Sequence, residues 1–246
     1  MKYVLVTRPE PQAALTALFL SEAGFKPLIS PAIILKALPD AAVQVATLNH
    51  QADGVIATSQ FALQVLDSMG LNRDMPLYMT GKALAELATD YGFSHVTYAE
   101  NDAASLLRLM MGLPDLQRHR LSLVHGNHIA VDIATPLKDA GFRIHRHPLY
   151  QSRAARALPQ EAITALKKGE VCSILFYSAF TARCFMELVQ QSDLESFLRD
   201  VTAICLSPAV AEALPAAMWA ARVSGATPTT SDMMDALHSI LDTACA

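Results

Sequence analysis

The chain has 246 residues, 52% hydrophobic and only 17% charged, with a formal net charge of −4 from 19 basic and 23 acidic residues. So apolar a composition excludes a disordered chain, and the negative balance argues against a nucleic-acid partner, which needs basic surface. No uncharged apolar run reaches the ~20 residues that span a bilayer. Lys2, Arg8, Glu10, Glu22 and Lys26 interrupt the N-terminal region, which lacks the pattern of a secretory signal. A cytoplasmic protein without a membrane partner is expected.

In chain order, one unit recurs: a short β-branched run, a small polar residue, a helical pattern, and often Gly-Phe before the next run. It begins with Val4-Leu5-Val6-Thr7, a helix through Leu15, Leu18 and Phe19, and Gly24-Phe25. It returns at Gly54 to Ser59, at Leu77 to Gly81 with a helix ending at Gly92-Phe93, and at Leu121 to Gly126 with a helix ending at Gly141-Phe142. Glycine after a helix adopts positive φ without a Cβ clash, so each Gly-Phe marks a helix end and the entry to a strand. The last third continues with Cys172 to Ser178, Val201 to Ser207 and Arg222 to Gly225, then a helix through Met233, Leu237 and Leu241. Continuous apolar runs alternating with helices predict an α/β fold with parallel sheets covered on both faces.

About ten strands are expected, near 3–7, 26–30, 54–58, 76–80, 95–98, 121–125, 142–147, 171–177, 201–206 and 222–225. Two five-stranded sheets suit common domain sizes better than one of ten. The stretches from Pro31 to Pro39 and from His145 to Ser152 carry prolines and polar residues, as edge strands or linkers do. If they are linkers, the middle of the chain is one domain inserted into another.

Motifs for dinucleotides, P-loop phosphates and serine hydrolases are missing. Cys172, Cys184, Cys205 and Cys245 lack zinc or redox spacing and suit buried thiols in a reducing compartment. The pairs His125/His128 and His145/His147 have only Asp132 nearby as a carboxylate, so no metal is expected. What remains is a set of small polar residues after the strands: Thr7-Arg8-Pro9, Thr58-Ser59, Thr80-Gly81, His125-Gly126, Tyr177-Ser178, Ser207-Pro208 and Ser224-Gly225-Ala226-Thr227. Each alone is an ordinary helix N-cap. Together they predict an anion-receptive rim, because open α/β sheets bind ligands at the carboxyl ends of their strands.

The order of these motifs resembles the uroporphyrinogen-III synthase family. The resemblance runs through Val4-Leu5-Val6-Thr7-Arg8-Pro9, Thr58-Ser59, Gly81 before an alanine-rich helix, Pro148-Leu149-Tyr150, Phe176-Tyr177-Ser178-Ala179 and Ala226-Thr227-Pro228-Thr229. It implies two flavodoxin-like three-layer domains joined by a two-stranded β connector, with a cleft between them. On this sequence those are 1–34 plus 152–246, an inserted 40–146, and a connector at 35–39 and 147–151. It further implies a monomeric lyase without a cofactor, closing the linear tetrapyrrole hydroxymethylbilane into uroporphyrinogen III with inversion of the last pyrrole and loss of water.

The same resemblance assigns Tyr150 to departure of the substrate hydroxyl, since a phenol keeps a proton to donate at neutral pH. It places Ser59 and Ser178 against the substrate carboxylates and matches Thr7 and Arg8 to its N-terminal motif, Arg8 either pairing with a carboxylate or lying solvated beside the first helix. The strand ends and helix starts at Thr80, Gly81 and Ser207 are the further binding candidates, with Lys82 as a compensating cation. Two positions depart from the family pattern: Leu84 and Val210 stand where a threonine is common. That departure keeps open a noncatalytic two-domain protein binding a carboxylated ligand, or a degenerate homologue.

Overall fold

The computed structural model describes residues 2–100, 102–129, 131–225 and 230–244. The expected Ala226-Thr227-Pro228-Thr229 motif and Cys245 lie outside the described residues. The chain divides into two compact units, Met1–Ile34 with Arg153–Ala246, and Leu35–Ser152.

In the first unit, β1 (Tyr3–Val6) leads through α1 (Gln12–Glu22) to β2 (Lys26–Ile29). After the insertion come α7 (Gln160–Lys167), β9 (Val171–Phe176), α8 (Ala179–Gln191), β10 (Thr202–Cys205), α9 (Pro208–Glu212), β11 (Ala221–Ser224) and α10 (Thr230–Ala244). The strands form a parallel sheet in the order β11-β10-β9-β1-β2. Every residue of β10 is buried, as a strand covered on both faces requires. Residues of α7, α8 and α9 pack one face around Phe176, Phe185 and Trp219, while α1 and α10 cover the other around Val4, Val6 and Leu237.

The second unit contains α2 (Ala41–Gln51), β4 (Gly54–Ala57), α3 (Gln60–Ser68), β5 (Leu77–Thr80), α4 (Lys82–Asp90), β6 (Val96–Ala99), α5 (Ala103–Met111), β7 (Arg120–Gly126) and α6 (Ala134–Asp139). Its sheet has six strands, not five, because β3 (Ile33–Ala37) joins its edge beside β8 (Arg143–Ala154), which runs past the expected 142–147, in the order β3-β8-β7-β4-β5-β6. Of the residues expected as a connector, 35–37 lie in β3 and 147–151 in β8. The Leu38 N–H donates to the Leu149 carbonyl, and the Ala155 N–H to the Ala32 carbonyl, so the pair runs antiparallel. Helices α2, α3 and α4 pack one face, α5 and α6 the other.

The Gly-Phe signals end helices as expected. Gly24, Gly92 and Gly141 have φ of +84°, +87° and +89°. The N–H of the following Phe donates to a carbonyl five residues back: Phe25 to Leu20, Phe93 to Ala88 and Phe142 to Leu137. Each ring is buried where its strand begins, so one dipeptide both stops a helix and anchors the next strand.

At the amino ends of β4 and β7, Asp53 and Arg120 lock the strands together. The Arg120 Nη2 and Nε donate to the two carboxylate oxygens at 2.9 and 3.1 Å, and the Arg120 backbone N–H adds a third bond. These bonds hold the Asp53 carboxyl at about 2, below its ordinary 3.8. A depressed carboxyl stabilises the fold above its unfolded-state value, and that contribution fades as pH falls from about 4 toward about 2. The side chain is 37% exposed, so solvent screening trims the effect, and Asp53→Asn should cost about 1 kcal/mol at pH 7. Urea unfolding should show the gap between wild type and variant closing near pH 2; a constant gap would assign the effect to something other than the carboxylate charge.

Candidate active site

Each sheet is doubly wound, with one point where the chain reverses its direction of growth. In the first unit that switch lies between β1 and β9, in the second between β4 and β7. At such a switch the flanking helices leave on opposite faces and open a crevice beyond the strand ends.

In the second unit a cavity of about 250 Å³ occupies that place. Ser59 follows β4, Thr80 ends β5, His125 and Gly126 end β7, and Tyr150 comes from β8, all lining it. Ile129, Val131 and Ile133 supply an apolar wall. Ser59 is the N-cap of α3, its hydroxyl accepting the Ala62 N–H at 3.1 Å. The same oxygen lies 3.0 Å from the Tyr150 hydroxyl. Because the Ala62 N–H occupies one of its lone pairs, the serine can give its own proton to the tyrosine oxygen, which leaves the Tyr150 proton for a third group. The Tyr150 ring packs edge-on against Phe61 at 5.2 Å between centroids. Its other contact is Gly126: a Cβ built there would come within 2.5 Å of the ring. Glycine is therefore required by the ring and not by its backbone.

Gly81 also serves the geometry. Its φ of +78° suits glycine, and its N–H donates to the Ala99 carbonyl at 2.7 Å as α4 begins. Lys82, exposed at the start of α4, meets Glu86 at 3.4 Å one turn along the helix and does not line the cavity. Position after a strand does not reveal which way the side chain turns. Asp132 is likewise committed: it accepts from Thr135 and from the Ala134 N–H and pairs with Arg146, which together hold its carboxyl well below the ordinary range. Among the described residues no group of three His, Cys, Asp or Glu could hold a metal.

In the first unit, Thr7 is fully buried and donates to the Leu175 carbonyl at 2.6 Å, bracing β1 against β9. That places its hydroxyl inside the sheet. Arg8 lies at the switch point with its guanidinium carbon 4.0 Å above the Tyr177 ring centroid and its Nη1 3.4 Å from the Thr16 hydroxyl. Burial lowers the Arg8 pKa, and no carboxylate pairs with it among the described residues. The Tyr177 hydroxyl, buried beside the guanidinium, partly offsets that effect. Ser178 caps α8, accepting the Thr181 N–H at 3.1 Å, whereas Ser207 precedes the short α9 without a side-chain cap bond.

The two departures face inward. Leu84 packs on the core beneath α4, and Val210 is 6% exposed in the core beneath α9. Neither apolar side chain takes a place in the cavity.

A two-unit, doubly wound α/β protein with polar strand ends at both switch points is the class these features define. The family model for uroporphyrinogen-III synthase HemD matches residues 13–235. The chain belongs to that family and is a cyclising lyase of tetrapyrrole biosynthesis. Among solved structures it is similar to uroporphyrinogen-III synthetase from Helicobacter pylori, at 16% identity and a TM-score of 0.65 over 98% of this chain and 100% of that one. It is also similar to a mutant uroporphyrinogen III synthase from the extreme thermophile Thermus thermophilus, at 19% identity and a TM-score of 0.55 over 99% of this chain and 100% of that one. No curated protein matches the chain by sequence.

Proposed function

We propose that the second unit's cavity is where hydroxymethylbilane loses its terminal hydroxyl, with Tyr150 as the proton donor. The hydrogen bond between Ser59 and Tyr150 carries this reading, because with the serine as donor it leaves the phenol proton for a ligand in a cavity with an apolar wall. Departure of the hydroxyl as water leaves an azafulvene. The substituted α-carbon of the last pyrrole attacks it, giving a spiro intermediate. That intermediate fragments, and the ring recloses through its other α-carbon and is thereby inverted. The protein's main contribution is conformational, holding the chain so that productive closure outruns the spontaneous, uninverted one.

The substrate's carboxylates are held by helix N-termini and local cations, since bulk charge is unfavourable. The helix starts at Ser59, Gly81, Ser178 and Ser207 and the Arg8 guanidinium are the groups offered for this, with Thr80 at the cavity rim. The protein acts as a monomer in this reading, and the buried free thiols of Cys184 and Cys205 suit the reducing cytoplasm. The proposed chemistry draws on side chains alone and calls on no cofactor.

Supplying hydroxymethylbilane and separating the product isomers tests the reading. The expected product is the inverted isomer, formed faster than closure without protein. Only the uninverted isomer at the protein-free rate would leave a binding protein or a degenerate homologue as the answer.

A further inference from the structure

We propose that His125 is a second catalytic residue, whose Nε2 takes the proton released when the macrocycle closes; this rests on the placement of the reaction in the second unit's cavity. Closure has a strict proton balance. Loss of the terminal hydroxyl as water consumes one proton. When the free α-carbon of the inverted pyrrole forms its new carbon–carbon bond, that carbon still carries its hydrogen, and aromaticity returns only when this proton leaves. One proton enters from Tyr150 and one departs to His125, and passage of the proton from the imidazolium to the Tyr150 phenolate restores both groups.

His125 lines the same cavity as Tyr150 and Ser59. Its Nδ1 lies 2.7 Å from the Gly126 carbonyl oxygen. A carbonyl only accepts, so in the neutral ring Nδ1 carries the proton and Nε2 keeps a lone pair. The contact also fixes the ring's orientation, as the hydrogen bond on one imidazole nitrogen commonly does for the other. Among the described residues no Asp, Glu or Lys lines the cavity, which leaves imidazole as its proton-accepting side chain apart from the hydroxyls. His128 also borders the cavity, but it lies beyond the end of β7 and is exposed. A metal role for the two histidines is not supported, since Asp132 is committed to Arg146 and Thr135.

Asn in place of His125 separates the two functions of the ring, because its amide nitrogen can still donate to the Gly126 carbonyl while Nε2 is removed. His125→Asn should lower kcat by about 100-fold, the low end of what a lost proton acceptor costs, with KM changed less than about threefold. The uninverted isomer should rise among the products, because an intermediate that cannot lose its proton escapes. In His125→Ala, added imidazole should restore part of the rate, which a purely structural role would not allow.

A wild-type rate and isomer ratio for His125→Asn, alongside a slowed Tyr150→Phe, would overturn the role of His125 and leave the cavity reading intact. Unimpaired rates for both variants would overturn both. A slow His125→Asn together with a His125→Ala that unfolds at lower temperature and ignores imidazole would make His125 structural. Loss confined to His128→Asn would move the acceptor to that residue.

Discussion

Replacing Tyr150 by Phe should lower kcat by about 100-fold while KM and thermal stability stay near wild type. The change removes one oxygen and keeps the ring, so the edge contact with Phe61 and the fit over Gly126 persist. Ser59 retains its bond from the Ala62 N–H, so the start of α3 remains capped. What disappears is the proton for the leaving hydroxyl, and general-acid assistance is typically worth about 10²- to 10⁴-fold. The lower end is expected because an electron-rich pyrrole expels its hydroxyl partly unaided. The inverted isomer should still form, since the fold of the bilane and not the acid decides which carbon attacks. An unchanged kcat would remove Tyr150 from the chemistry; a raised KM at constant kcat would make it a binding residue only.

Much of the fold was legible because buried parallel strands are written as apolar runs and the Gly-Phe pairs punctuate them. The eleventh strand, β3, was legible only as an edge strand or linker, for a physical reason. It lies at the sheet edge next to β8, where flanking prolines are tolerated, so Pro31 and Pro39 mark the segment without deciding between the two. Pro148 likewise hides the length of β8. The structure accommodates that proline where the register with β7 shifts, between His125 and Gly126, and the strand continues to Ala154.

The polar strand ends were legible as a group but not as individuals. Thr7 and Ser59 both follow a buried strand, yet one turns inward to Leu175 and the other caps a helix beside the cavity. Lys82 shows the same limit, its charge answered by Glu86 on its own helix. His125-Gly126 was legible as one of the polar strand ends, but the fit of Gly126 against the Tyr150 ring arises from cross-strand register between residues far apart in sequence, which no local pattern carries.

That register supplies the second large effect. Gly126→Ala should cost activity to about the same extent as loss of the Tyr150 hydroxyl, and should also destabilise the second unit by about 1–3 kcal/mol, the usual range for overpacking. The added Cβ would lie 2.5, 2.7 and 3.0 Å from three carbons of the Tyr150 ring, where carbon atoms prefer about 3.5–4.0 Å. A ring cannot flex out of the way as an aliphatic tail can, and β7 is held on both sides by β4 and β8. The ring must therefore shift by about 1 Å, the distance needed to restore van der Waals separation. Since it is tethered to Ser59 by a single 3.0 Å contact, that hydrogen bond breaks first. If displacement of the phenol is the cause, adding Gly126→Ala to Tyr150→Phe should lower kcat little further, because the oxygen it misplaces is already gone. Multiplicative losses in the double variant would instead mean that Gly126 acts on substrate space directly, and full activity in the single variant would show that the ring has room the structure does not display.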